Sequence, residues 1–461
     1  MIDKLPDNVL LEIFHFYKGD PTSIRPFTWP WITLIKVCRR WRHIIFGSPR
    51  RLNLRLVCSE RRPARRSLDI WPPFPIIILS NINQTVDEEC LENVIAALDR
   101  RERIYSILIH YGMSGSAFEK STAVMLEPFP VLKQCRLISV NLTVSMPVLP
   151  ETFLGGSAPH LEWFELGGIS FPTFPDFVLA STQIQYLSLN DIPDSGYISP
   201  DVMATCLAAL PNLRHLSVGF QSPRSRPVEI ALPTQTRAVF PALTSLYFRG
   251  VSEYFEDFIA RIEGPHLSFL AITFFMDLIF DIPRLHTLIT RTLTGRVNQA
   301  SMEFTSQEIQ IFFDFHFQLE IKCERLDWQL SSITQILSQQ LPLLSHVERF
   351  EIRESRFPSD DGRIGWEDDP DMDPSQWLEL FRLLIAVQSL FVSERLVRRV
   401  AAALKEFTGE LAVTVLPALH SLSLEGLPPS GLVQDAIRSF VTVKQLVDRP
   451  VVIQSWARQA V

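Results

Sequence analysis

Three acidic side chains at alternate positions, Asp369, Asp371 and Asp373, open the chain's best imitation of a metal-binding loop. Calcium loops of that spacing need a glycine at the sixth position for the sharp turn and a bidentate carboxylate at the twelfth. Here those positions hold Pro374 and Leu380, so the segment reads as a solvated acidic loop. Gly112-Met113-Ser114-Gly115-Ser116 places its second glycine one residue early for a nucleophile elbow. No phosphate-cradling G-x-x-x-x-G-K-[ST] and no H-E-x-x-H occurs, and ten histidines are scattered. His215, His286 and His420 lie beside apolar runs and read as packing or surface residues. The six cysteines, at 38, 58, 90, 135, 206 and 323, are never closer than 20 residues, which excludes a C-x-x-C pair. Cys38 could be considered as a nucleophile, but its apolar helix face argues for an inert, buried thiol. The chain reads as a non-enzyme without a metal or other cofactor, and its chemistry is that of binding.

Several charged segments bear on what could be bound. Arg61-Arg62-Pro63-Ala64-Arg65-Arg66 has the composition of a nuclear signal or nucleic-acid patch, but no aromatic residues interleave with the arginines. It reads as a solvated linker. Forty-four basic against fifty-one acidic residues give a net charge of −7, which removes a chain-wide basic field for nucleic acid or anionic lipid. The arginines at 349 and 353 could bind an acidic group.

The elements that carry these residues follow from composition and period. At 461 residues with 46% apolar and 21% charged side chains, the chain can bury a large core. Thirty-three prolines against 18 glycines favour many short elements with proline stops. The most apolar stretch, Phe269 to Phe280, is too short for a membrane span and contains Asp277. Scattered cysteines and an interrupted N-terminus fit an intracellular, cytoplasmic and/or nuclear protein. The sequons at Asn83 and Asn141 would then stay unmodified.

Residues 5 to 17 read LPDNVLLEIFHFY. Pro6 suits a first helical turn and Asp7 its positive dipole end. Val9, Leu10, Ile13, Phe14 and Tyr17 recur at spacings of three and four. After a proline-rich loop, a second helix is expected from about Trp31 to Phe46, closed by Gly47-Ser48-Pro49. Two short helices this apolar need a partner, either the rest of the chain or another protein.

LPDNVLLEIF followed by VCRRWRHIIF resembles an F-box. Leu5, Pro6, Ile13, Phe14, Val37, Cys38, Arg39 and Trp41 match that motif over about a tenth of the chain, although residues 18 to 30 form an unusually long connection. The resemblance implies docking onto a Skp-type linker protein and hence a cullin complex. The docking set would be Leu5, Pro6, Val9, Leu10, Ile13, Phe14, Val37, Cys38 and Trp41, in a helix-in-groove contact.

From about residue 104 the frame L-x-x-L-x-L recurs, often behind a proline. It fits Leu161, Phe164 and Leu166; Ile184, Leu187 and Leu189; Leu213, Leu216 and Val218; Leu243, Leu246 and Phe248; Leu267, Leu270 and Ile272. It returns at Val347, Phe350 and Ile352 and at Leu419, Leu422 and Leu424, with weaker copies at Leu132 and Leu285. Spacings of 23 to 30 residues match a leucine-rich repeat. Helices are expected over 324 to 341, 374 to 386, 394 to 407 and 433 to 446, with an edge strand at Val451 to Ile453.

The expected fold is α/β (α+β): an N-terminal helical F-box at 1 to 48, linker and cap at 49 to 103, and an irregular leucine-rich-repeat solenoid over 104 to 461. The terminal pattern resembles the large fungal F-box families. That resemblance implies a substrate-recognition subunit of a Skp–cullin–F-box ubiquitin ligase, with the repeats binding an unknown target protein. By register the binding face would include Glu165, Ser188, Ser217, Tyr247, Arg249, Arg349 and Glu351. The competing reading is a leucine-rich-repeat interaction scaffold outside any ligase. No nucleic-acid or membrane partner is expected.

Overall fold

The computed structural model describes residues 5–16, 30–60, 68–69, 71–82, 88–112, 115–140, 146–223, 237–277, 279–292, 297–314, 316–323, 325–339, 344–354, 374–407, 411–426 and 431–456. The Arg61–Arg66 run, both sequons, Met113 and Ser114, and the Asp369–Asp373 carboxylates lie outside these. The chain divides into two units, Met1–Tyr197 with Ala209–Leu213, and Ile198–Ala208 with Arg214–Val461.

The first unit opens with three helices, α1 (Asp7–Phe16), α2 (Pro30–Val37) and α3 (Arg39–Gly47). The single second helix expected from Trp31 to Phe46 is therefore two. Cys38 breaks it by adopting an extended backbone, φ −158° and ψ 170°, and its sulfur accepts the Trp41 amide at 3.4 Å. Such a residue is an N-cap, where side-chain acceptors replace the missing helical partner. The Arg42 Nε donates to the Ile35 carbonyl at 3.2 Å, covering the frayed end of α2. Trp31 and Phe46 then pack their rings against Trp71 and Phe74, fastening α2 and α3 to the segment that leads into the strand beginning at Ile76.

Six parallel strands follow in sequence order: β1 (Leu56–Cys58), β2 (Ile76–Ile82), β3 (Ile104–Tyr111), β4 (Gln134–Ser139), β5 (Trp163–Gly167) and β6 (Tyr186–Ile192). The parallel register thus begins at Leu56, within the stretch expected to be linker and cap. Helices α4 (Glu88–Leu98), α5 (Gly115–Ala123) and α6 (Phe174–Leu179) lie between the strands in sequence. Cys135 pairs with Phe164 and Phe164 with Leu187; Leu137 pairs with Leu166 and Leu166 with Leu189. All six are buried, forming two columns of the core.

The second unit contains α7 (Pro200–Leu207), β7 (His215–Phe220), β8 (Ala238–Val239), β9 (Ser245–Gly250), α8 (Ser252–Arg261), β10 (Ile262–Glu263), β11 (Phe269–Phe275) and α9 (Pro283–Thr292). It continues with β12 (Gln299–Phe304), β13 (Glu308–Phe313), β14 (Phe317–Lys322), α10 (Leu326–Gln339), β15 (Arg349–Glu354), α11 (Pro374–Leu383) and β16 (Ser389–Val392). Last come α12 (Glu394–Lys405), α13 (Leu411–Thr414), β17 (Ser421–Glu425), α14 (Leu432–Leu446) and β18 (Val452–Trp456). The strand order is β7-β9-β11-β14-β13-β12-β15-β16-β17-β18. All neighbours are parallel except across β13, which runs antiparallel to β12 and β14.

The recurring Pro-x-Leu has a physical role. Leu161, Leu213, Leu243 and Leu419 each donate their amide three residues back, to Ala158, Leu210, Phe240 and Leu416, at 3.0 to 3.4 Å. Proline occupies the second position of each turn, where its fixed φ belongs. The first residue after the turn then passes a carbonyl to the next strand: the Arg214 carbonyl accepts from both Thr244 and Ser245, and the Glu348 carbonyl from both Gln388 and Ser389.

The expected copy at Leu285 is instead helix α9. Ile282-Pro283-Arg284-Leu285 has the turn sequence, but the Glu256 carboxylate accepts the Arg284 and Leu285 amides at 2.9 and 2.8 Å. That carboxylate supplies the acceptors a helix N-terminus lacks, and proline is equally suited to a first helical turn. The repeats are mixed α/β with leucine-rich-repeat-like strands.

Candidate docking surfaces

Helix α1 is apolar on two sides. Leu10, Leu11 and Phe14 are buried, and the Phe14 ring lies 4.8 Å from Trp41. Leu10 and Phe14 were expected to dock a partner; their side chains are instead spent on the fold. A helix turns 100° per residue, so positions 10 and 14 share a face that positions 9 and 13 leave. Pro6, Val9, Ile13 and Phe16 stand exposed at spacings of three, four and three. Ile13 is 46% and Phe16 84% exposed. Val37, at the end of α2, is 57% exposed. Phe16 was not among the expected residues, although its spacing from Ile13 signalled it. Leu5 and Trp41 are half-buried. Cys38 is half-buried too, as a helix cap rather than the buried thiol expected.

The residues expected on a target-binding face do lie on the side of the strands away from the core columns. Three of them are nevertheless closed to solvent. In the first unit, Glu165 is buried beneath Arg136, whose Nε lies 3.1 Å from its carboxylate, and beside the Trp163 indole. Ser188 is buried and accepts the Asn190 side-chain amide at 2.8 Å. In the second unit, Glu351 is buried between Arg349, at 2.9 Å, and Arg353. Long neighbouring side chains cover short or acidic ones in the same row. What this face presents is therefore different. Trp163, 37% exposed, stacks on Tyr186 at 3.6 Å, and Tyr105 lies beneath the Arg55 guanidinium at 3.8 Å. In the second unit Tyr247 sits between His215 and Phe269, with Ser217 half-buried on the neighbouring strand. Arg249 lies 5.6 Å above Phe275, and Arg349 4.2 Å above Phe391.

Burial governs the titrating groups of the strands and their core. Burial pushes the His215 imidazole down to about 4, so it is neutral at pH 7. Burial raises the Glu320 carboxyl, opposed by Lys322, which also pairs with Glu308. Burial pushes the Cys206 thiol up to about 11 and raises the Cys135 thiol too, which keeps both unreactive. Among the described residues no three His, Cys, Asp or Glu side chains are placed to hold a metal. None of the described helices is long and apolar enough to cross a membrane.

No family model matches the chain. No curated protein matches it either. Among solved structures it is similar to the leucine-rich repeat-containing protein LegL7 from Legionella pneumophila, at 14% identity and a TM-score of 0.28, over 72% of this chain and 97% of that one. The repeating feature of this chain is the strand register and the Pro-x-Leu turns described above.

Proposed function

We propose that the chain is the substrate-recognition subunit of a Skp–cullin–F-box type ubiquitin ligase. Helices α1 to α3 would dock the linker protein, and the repeat strands would hold a target protein. The observation that carries this reading is the second apolar stripe on α1, Val9, Ile13 and Phe16, with Pro6 just ahead of the helix, left open while the other face is already packed. A helix that served only as a cap would not need it. The F-box resemblance of LPDNVLLEIF and VCRRW supplies the partner class. Such a receptor needs no catalytic side chain, because holding a target near a ubiquitin-charged enzyme raises the local concentration of its lysines.

The scaffold reading has one observation in its favour. Trp31 and Phe46 pack on Trp71 and Phe74, so α2 and α3 are tied to the segment that leads into β2. The two readings separate on α1. The test is co-purification of the full chain with a Skp-type linker protein, comparing wild type with an Ile13→Asp, Phe16→Ala variant. Both positions are exposed, so this variant should fold. Linker binding lost in the variant supports the receptor; a folded wild type that binds no linker overturns it and leaves the scaffold.

A further inference from the structure

We propose that Arg40 is the positioning residue of the docking helix, its guanidinium fixing which apolar face of α1 is turned inward. This rests on the reading of α1 as a docking element. Because α1 is apolar on both sides, burial alone does not choose between Leu10, Leu11 and Phe14 and the alternative set Val9, Ile13 and Phe16. A rotation of about one residue step exchanges one set for the other. Something directional has to specify the face.

Arg40 has that direction. Its Nε donates to the Asp7 carboxylate at 3.1 Å, and its Nη2 donates to the same oxygen at 2.6 Å and to the Leu5 carbonyl at 2.5 Å. The planar fork thus grips two points of the first turn of α1 from a single site in α3. The electrostatic setting favours the grip. The first turn of α3 contains Arg39 and Arg40 and no acidic residue, which places cations at the positive end of its dipole. Asp7 supplies the missing negative charge while sitting at the positive end of its own helix. Arg51 pairs with Glu12 further along α1 and acts in the same sense. Polar groups that select one registry among apolar alternatives have precedent in helical assemblies.

The test uses the full chain with Arg40→Ala and Arg40→Lys. Facing is read by thiol labelling, mapped by mass spectrometry, at Ile13→Cys and Leu11→Cys introduced separately into each background. With Arg40 present, position 13 should label faster than 11, as their 46% and 9% exposures dictate. In Arg40→Ala the two rates should converge, and α1 amides should exchange about tenfold faster while strand amides keep their rates. Arg40→Lys, which keeps the charge but loses the fork, should fall between. Affinity for the linker protein should drop about tenfold in Arg40→Ala. Unchanged labelling and exchange in Arg40→Ala would overturn the proposal. If strand amides also speed up, Asp7→Asn removes the other half of the same clasp and decides in its place. A wild type that binds no linker would sink the docking reading, while labelling and exchange would still judge the clasp.

Discussion

Phe14 and Phe16 sit two residues apart on α1 and should behave as opposites. Phe16 is 84% exposed, so Phe16→Ala removes almost no buried surface and should leave stability within about 0.5 kcal/mol of wild type. Covering a phenylalanine side chain in an interface is worth about 1.5–3 kcal/mol. With most of the ring still open, about 2 kcal/mol is available to a partner, and linker affinity should fall about thirtyfold. Phe14 is 2% exposed and packs on Trp41. Phe14→Ala should cost about 3–5 kcal/mol of packing around α1, with binding lost only through unfolding of that helix. Isothermal titration with the linker protein and urea unfolding of each variant measure the two quantities. A Phe16→Ala chain that is clearly destabilised but binds as wild type would show that the stripe is an internal surface, and the docking argument would fail.

Four further outcomes are predicted. Burial, and then the nearby Arg449, lowers the Lys444 ammonium to about 8, against 10.5 for an ordinary lysine. Between those values the unfolded chain holds more proton, so wild-type stability should rise with pH across that window by up to about 3 kcal/mol relative to Lys444→Met. Urea titrations of the pair at several pH values check this, and a constant difference refutes it. Gly168→Ala should destabilise by at least about 2 kcal/mol, because φ is +66° and the new Cβ would meet the Ser139 carbonyl oxygen at 2.4 Å. Gly156→Ala, at φ +75° with open space around it, should cost only about 1 kcal/mol, and thermal melts of the two variants against wild type check the difference. Leu187→Ala, in the middle of a core column, should cost about 3 kcal/mol in urea unfolding.

The repeat strands were legible because the leucine positions and the preceding turn prolines are local signals that agree. The strand Ser389–Val392 was missed, although Val387, Leu390 and Val392 fit the frame, because β-branched substitutes sit between two strong helical patterns. The strands β12 to β14 alternate cleanly in QASMEF, EIQIFF and FQLEIK, a period-2 signal that carries no Pro-x-Leu turn and so stands outside the longer repeat. Leu285 misled because the acceptor that turns its Pro-x-Leu into a helix start, Glu256, lies 29 residues away. The candidate site was legible in residue type more than in facing. Register places Glu165, Ser188 and Glu351 on the side of their strands away from the core columns, but only packing shows that Arg136, Asn190, Arg349 and Arg353 close over them. Likewise, the apolar period of α1 does not say which of its two stripes is free.

The antiparallel strand β13 has a consequence for how the second unit assembles. In a repeat array each strand is stabilised by its nearest neighbours, and where those neighbours are consecutive the array can grow in chain order. That order fails after β11. The next strand in the chain, β12, belongs three places away beside β15, and of the three meander strands only β14, made last, pairs with β11. The meander from Gln299 to Lys322 must therefore be completed as far as β14, which alone of its strands has the β11 edge to join, before β12 is seated to template β15. Once closed, it offers a parallel edge on both sides, β14 to β11 and β12 to β15. Growth along the array should stall there and resume in a second stage, so that β15 to β18 gain hydrogen-exchange protection later than β7 to β11.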